Sequence, residues 1–366
     1  MPERSDFTMS ERKSCVILLE RSIAPEISTC GIAAINDFVK LGRIEADNSD
    51  TNRAVIGSKS SGMVKSSTPV KIYGTSSISG DVELIVRIGT RTSPLALAQV
   101  DLIAEQIKSF YPDAEIITVP IKVSGDKLTS PLSSDPLGLK GMFTLEIEKA
   151  LRDGEIDLAV HSLKDLPANV SPDLPVAAYS QRGNPRDALV MNENGGNILG
   201  TSSLRRRLQI EKLFPDFTVV PVRGNIGTRL QKLDNGECSG LILSVSGLQR
   251  LGLSNRITRV FSVDEVIPAP GQGILACQAR IDKPHKWLDC VNDEASRDCA
   301  VAERSFARCL GAGCNLPVGA YAEINGEMLT LKGFFADGGI LRRAVLSGKR
   351  VNAEIIGRNL AEVIMN

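Results

Sequence analysis

Apolar positions change their rhythm near residue 84, and the change divides the chain. Before it, residues 47–80 are rich in Ser, Thr, Gly and Lys with little apolar periodicity, which predicts a flexible segment. Residues 15–19 and 31–41 are candidate short ordered pieces. After it, strand and helix patterns alternate. Residues 84–88 form a β-branched, apolar strand candidate, and residues 95–110 repeat apolar side chains at helical spacing (Leu95, Ala98, Leu102, Ile103, Ile107). Ser93-Pro94 supplies a cap and a proline for the first helical turn. Residues 115–123 predict a strand, 143–152 a helix, and 156–160 an apolar strand ending at His161-Ser162-Leu163-Lys164-Asp165.

The alternation resumes after Pro185. Strands are predicted over 188–191, 218–222, 241–245 and 274–280, with 198–200 leading into Thr201-Ser202-Ser203. Helices are predicted over 204–213 and 225–233, and residues 268–273 form a Pro- and Gly-rich turn. A helix over 295–308, strands over 319–324 and 328–334, and a last helix over 353–364 complete the chain. This order predicts α/β architecture with a largely parallel sheet in two units, then a smaller α+β tail. No internal sequence repeat is visible.

Composition narrows the function. A chain of 366 residues, 42% hydrophobic, supports two or three domains. Lys+Arg and Asp+Glu both number 43, so nothing implies a general affinity for nucleic acid or an anionic membrane. Aromatic residues, at 4%, are too few for a base-stacking surface. No apolar run is long enough to span a bilayer. The eight cysteines include no C-x-x-C pair and only two histidines accompany them, so no metal site is expected, and free thiols in a reducing compartment are.

Positive charge is instead concentrated between Arg205 and Arg229. Thr201-Ser202-Ser203 precedes a helix, so its hydroxyls and the first backbone amides form an anion-binding pocket. Arg205, Arg206 and Arg207 oppose the helix dipole there, which points to placement for a ligand. Arg223 and Arg91 end strands and Arg229 lies one turn beyond Asn225, all where ligands of open α/β sheets bind. Such a cluster suits several carboxylates or phosphates, although an Arg run by itself is commonly a solvated helix face. Asp165, beside Lys164, is a candidate for proton transfer or for holding a cationic nitrogen; an Asp that caps a turn is the commoner case, and the pattern does not choose. Cys314 sits in a Gly-Ala-Gly-Cys-Asn-Leu-Pro loop that could expose a thiol, yet most free cysteines are buried and inert.

Taken in order, several stretches resemble the porphobilinogen deaminase (hydroxymethylbilane synthase) family. They are Arg87-Ile-Gly-Thr-Arg-Thr-Ser-Pro-Leu-Ala-Leu97, Lys140-Gly-Met-Phe143, Ala159-Val-His-Ser-Leu-Lys-Asp165 and Pro185-Arg-Asp-Ala188. Gly200-Thr-Ser-Ser-Leu-Arg-Arg206, Arg223-Gly-Asn225, Thr228-Arg-Leu230, Lys232-Leu-Asp-Asn-Gly236, Gly247-Leu-Gln-Arg-Leu-Gly252, Gly271-Gln-Gly273 and Gly313-Cys314 continue the match. The resemblance runs from about Leu84 to the C-terminus and leaves residues 1–82 outside it.

The resemblance implies an α/β fold of two periplasmic-binding-protein-like (type II) domains plus a smaller α+β C-terminal domain. Residues 83–182 with 274–290 would form the first, 183–273 the second and 291–366 the third, with 1–82 a flexible extension. It implies a transferase of porphyrin, tetrapyrrole and heme biosynthesis that joins four porphobilinogen molecules head to tail, releasing ammonia each time. Water then releases hydroxymethylbilane and leaves a dipyrromethane primer on the enzyme. That cofactor would be held by a thioether to Cys314, with Lys164, Asp165, Ser203, Arg205, Arg206 and Arg223 around it. Arg91, Ser93, Phe143, Arg229, Arg250 and Gln272 would bind substrate, and Asp165 would be catalytic, stabilising the cation left when ammonia departs. A monomer that binds no nucleic acid and no membrane is implied.

The chain departs from the family pattern at Leu139 and Pro270, and residues 133–136 run slightly longer than usual. It ends at Asn366, early for the family, which predicts a last helix short of a packing partner. The location expected is the cytoplasm, or a plastid or mitochondrion if residues 1–82 include a transit peptide; Glu3, Asp6, Glu11, Glu20 and Glu26 argue against one. The rival reading is a non-enzymatic two-lobed solute-binding protein, which would need no thiol-linked primer.

Overall fold

The computed structural model describes residues 15–18, 70–72, 82–123, 144–283, 285–311 and 316–366. In chain order the strands begin with β1 (Cys15–Leu18), β2 (Val70–Ile72), β3 (Val82–Arg91), β4 (Glu115–Ile121), β5 (Leu158–Ser162) and β6 (Val176–Tyr179). They continue with β7 (Asp187–Met191), β8 (Ile198–Gly200), β9 (Thr218–Val220), β10 (Gly240–Ser244), β11 (Arg259–Val260) and β12 (Leu275–Gln278). Last come β13 (Val318–Asn325), β14 (Met328–Asp337) and β15 (Ile340–Lys349).

Two mixed sheets follow one plan. In the first, β4 pairs with β3, β3 with β5, β5 with β12 and β12 with β6; β2 adds to the start of β3. In the second the order is β9-β8-β10-β7-β11. Each sheet therefore places its first strand inside its second, then its third, then a strand that runs antiparallel to its neighbours, then its fourth. The antiparallel strand, β12 or β7, is the one that arrives from the other lobe, so it enters in the opposite direction. All other strands of each sheet run one way, so the sheets are largely parallel, as expected, with one reversed strand apiece. This is the type II periplasmic-binding-protein arrangement, repeated in pairing although not in sequence.

Period-two alternation explains how each sheet is covered on both faces. Leu158 and Val160 of β5 pack with Val100, Ile103 and Ile107 of the helix Pro94–Phe110. Ala159 between them packs with Ile147, Ala150 and Leu151 of the helix Leu145–Arg152. Leu241 and Leu243 of β10 join one cluster and Ile242 the opposite one. The chain crosses between the lobes twice, and the crossing segments touch where Gly183 N donates to Gly273 O at 3.1 Å. Gly273 has φ +95°, and a Cβ there would lie 2.5 Å from Gly183 O, so the crossing requires glycine.

The third sheet is an antiparallel meander β13-β14-β15, with β1 paired to β15. Helices Glu294–Cys309 and Ala353–Met365 cover it through Phe306, Leu360 and Ile364. Gly357 lets them approach closely, since a Cβ there would lie 2.3 Å from Ala302 O. The last helix thus has a packing partner, contrary to expectation. Two pieces of the N-terminal 82 residues, assigned to no domain from sequence, are strands: β1, within the candidate 15–19, and β2. No helix among the described residues is long and apolar enough to cross a membrane.

Candidate functional site

The cleft-facing ends of four parallel strands carry the charged residues. β3 ends at Arg91, and β5 runs into a short 3₁₀ turn, Leu163–Asp165, that presents Lys164 and Asp165. β8 runs into Thr201-Ser202-Ser203 and the helix Leu204–Leu213, and β9 leads to Arg223 and the helix Ile226–Asp234. Hydroxyls shape these turns. Ser93 Oγ caps the helix Pro94–Phe110 by accepting from Ala96 N, and Ser203 Oγ caps its helix by accepting from Arg206 N, both at 3.4 Å.

At the centre is a carboxylate that sequence reasoning did not single out. Asp187, the first residue of β7, is fully buried. Its Oδ2 accepts from Arg205 Nη2 at 2.8 Å, and its Oδ1 accepts from Arg206 Nη2 at 2.7 Å and Nε at 3.1 Å. Gln272 Nε2 donates to the same Oδ1 at 2.9 Å. Burial by itself would raise this carboxyl, but the charges of Arg205 and Arg206 and the hydrogen bonds from Arg206 and Gln272 outweigh it and hold Asp187 well below the usual carboxylate range. Both arginines are themselves buried, and each also donates to a backbone carbonyl, Arg205 to Ile267 O at 2.6 Å and Arg206 to Ile242 O at 3.1 Å.

Lys164 joins this group from the first lobe, donating from Nζ to Gln272 Oε1 at 3.2 Å. Burial, then the charge of Arg206, pulls its ammonium down to about 8 against the opposing pull of Asp165 and Asp187. Arg229 donates to Gly224 O at 2.7 Å and is drawn to about 10 by burial and by Arg206, while Asp165 acts the other way. Asp165 is exposed, unlike Asp187, and close enough to Lys164, His161 and Arg229 for its charge to act on all three. His161 lies across the ladder from Arg91 in the register that pairs Gly89 with Ala159. Burial lowers its imidazole to about 4, so it is neutral near pH 7.

The structure therefore sets Arg205, Arg206 and Gln272 against Asp187 and Lys164 on Gln272, with Asp165 and Arg229 close enough to Lys164 and Arg206 for their charges to interact and Arg91 near His161. Other candidates stand apart from that cluster. Arg223 is exposed with no side-chain partner among the described residues. Arg250 donates to Gly273 O at 2.6 Å, on the crossing between lobes, and burial lowers its guanidinium to about 10. Gln272, inside the cluster, is almost fully buried and bridges protein groups. Cys314 and Phe143 lie outside the described residues. The helix Glu294–Cys309 leads directly to the loop that carries Cys314. One signal for Asp187 exists in sequence: an acid opening the apolar strand 188–191.

Residues 86–286 match the family profile described as "Porphobilinogen deaminase, dipyromethane cofactor binding domain", and residues 298–366 match "Porphobilinogen deaminase, C-terminal domain". The chain is 45% identical over 282 residues to a porphobilinogen deaminase from Acetivibrio thermocellus, covering 75% of this chain and 96% of that one. It is 43% identical to one from Ruminiclostridium josui (76% and 96% covered) and 42% identical to one from a Nostoc species (76% and 90% covered). Among solved structures, the periplasmic aliphatic sulphonate binding protein SsuA from Escherichia coli is similar at TM-score 0.32 and 15% identity, over 62% of this chain and 69% of that one, a likeness too slight to bear on function.

Proposed function

The chain belongs to the porphobilinogen deaminase family, and from that premise we propose which of its residues carry the reaction. The activity is the head-to-tail condensation of four porphobilinogen molecules into hydroxymethylbilane with release of ammonia, on a dipyrromethane primer. The finer assignment is a hydroxymethylbilane synthase that works as a monomer, with the primer joined to Cys314 through a thioether.

The observation that carries this reading is a charge imbalance. Lys164, Arg205, Arg206 and Arg229 surround two carboxylates, and only one of those, Asp187, is buried among them. Surplus positive charge in a partly desolvated cleft needs an anionic ligand. A dipyrromethane carries acetate and propionate groups, so this donor set fits it. Cys314 would hold it covalently, with Lys164, Asp165, Ser203, Arg205, Arg206 and Arg223 around it. When bound, it supplies the pyrrole ring to whose free carbon the first substrate is joined.

Arg91, Ser93, Phe143, Arg229, Arg250 and Gln272 make up the substrate side in this reading. Arginines suit it because a planar guanidinium can take a carboxylate with two parallel hydrogen bonds. In each addition a C–N bond of porphobilinogen breaks and ammonia leaves, a C–C bond forms, and the attacked ring loses one proton. Asp165 supports both ends of that exchange. Its carboxylate would stabilise the methylene where positive charge develops and accept the ring proton. His161, neutral beside it, adds no competing cation.

The test is the intact mass of the purified protein. The parent should carry the mass of one dipyrromethane, and Cys314→Ser should carry none and lose turnover. A fully active parent with no added mass would overturn the assignment.

A further inference from the structure

Gln272 is the point where the two lobes meet around the charged cluster. Its side-chain nitrogen donates to Pro185 O at 2.6 Å and to Asp187 Oδ1 at 2.9 Å. Both partners accept only, so the amide must turn its NH₂ toward them. Its oxygen is thereby left facing the first lobe, where Lys164 Nζ donates to it at 3.2 Å. The amide is 1% exposed, which leaves water little access to replace any partner. Asp187 thus acts in two directions at once: through Gln272 on Lys164, and directly on Arg205 and Arg206.

We infer that Asp187 is a positioning residue of the condensation site: it orients Gln272 so that Lys164 is held as an ammonium in the cleft, and it binds Arg205 and Arg206 as one preformed cationic pair. The inference rests on the assignment of this cluster to primer and substrate carboxylates. Lys164 is faced by Asp165 on its own turn, by Arg205 and Arg206 from the helix Leu204–Leu213, by Asp187 from β7 and by Gln272 from the lobe crossing. The two arginines disfavour its charge and the two carboxylates favour it. Lys164 is therefore poised close to neutrality, and loss of the buried carboxylate tips it. An ammonium binds a carboxylate and a neutral amine does not, so kcat/KM falls as pH rises through the Lys164 midpoint near 8.

The experiment is the pH profile of kcat/KM for porphobilinogen in the holoenzyme, with Asp187→Asn, Asp187→Glu and Gln272→Met beside the parent. The ionisation of the substrate amine is common to all four and cancels in the comparison. Asp187→Asn should move the alkaline limb down by about one pH unit and lower kcat/KM about fivefold at pH 8. Asp187→Glu keeps the charge and should bring the midpoint back toward that of the parent, even where the rate stays lower. Gln272→Met removes one acceptor from Lys164 and one donor from Asp187 while leaving the Asp187 charge and its two arginines in place, and should shift the limb the same way. It also serves if Asp187→Asn fails to fold. A uniform fall in kcat/KM with the limb unmoved in Asp187→Asn, or in Gln272→Met alone, would overturn the inference and leave Asp187 a purely structural residue. A parent lacking the dipyrromethane mass or turnover would overturn the functional assignment instead.

Discussion

In the first sheet the strand ends that face the cleft carry Arg91, Lys164 and Asp165, whereas the same ends of the second sheet carry Thr201, Ser203, Arg205, Arg206 and Arg223. The strand order is the same in both. What differs is where each lobe keeps its carboxylate. Asp165 stands exposed on a 3₁₀ turn, while Asp187 is fully buried under two guanidinium groups and an amide. A carboxylate saturated with donors from fixed cations stays ionised and cannot take a proton at neutral pH. The exposed Asp165 is not locked by such donors and is open to a ligand. Two lobes of one architecture thus divide the labour, the first suited to charge and proton work and the second to anchoring anions.

The sharpest way to break this division is to delete the exposed carboxylate. Asp165→Ala should reduce turnover by about 10²- to 10⁴-fold, the range for loss of a positioned acid–base group. Because the side chain is exposed, stability should change by less than about 0.5 kcal/mol, and the dipyrromethane mass should remain. Near-normal kcat in a variant with intact primer would move the chemistry to another residue.

Much of this layout is readable in the chain before any coordinates. Ser93-Pro94 and Ser203 mark helix starts because capping is a local interaction within three residues. The predicted helix over 204–213 has the observed bounds. Several elements are not signalled by the sequence, and three of them show why. β15 carries Arg342, Arg343, Ser347 and Lys349, several of its residues only half-buried, which masks its apolar alternation. β6, Val-Ala-Ala-Tyr, is too short and bland to signal. The helix Val245–Arg250 follows β10 with no break in burial, so apolar residues continue straight across the junction. The arginines of the site were visible as a cluster, but their partner was not. Asp187 reaches Arg205 and Arg206 across 18 and 19 residues and Gln272 across 85, contacts that exist only once β7 has entered the second sheet from the first lobe.

The buried pair offers the next test. Arg206→Leu removes one of the guanidinium groups from Asp187 and leaves part of a buried charge uncompensated. Breaking a buried ion pair costs about 3–5 kcal/mol, and the lower end is expected because Arg205 and Gln272 still hold the carboxylate. Urea denaturation measures it. An unchanged midpoint would mean that Asp187 and its arginines contribute nothing to the fold, and the contrast between the lobes would lose its structural half.

The smallest effect is expected at Arg223, and it separates anchoring from stability. Its side chain is exposed and has no partner among the described residues, so Arg223→Ala should leave the denaturation midpoint where it is. If it serves the primer carboxylates, the apo chain should acquire its dipyrromethane about tenfold more slowly, the worth of one charge-assisted hydrogen bond. Salt then distinguishes it from the buried pair. An exposed guanidinium is screened, so the difference between Arg223→Ala and the parent should shrink between 0.05 and 0.5 M salt, as the Debye length falls from about 14 to about 4 Å. The loss in Arg206→Leu should persist across the same range, because the Asp187 site is shielded from solvent ions. Equal salt dependence in both variants would show that the two arginines share one environment, and that the second lobe does not divide into a buried anchor and an exposed rim.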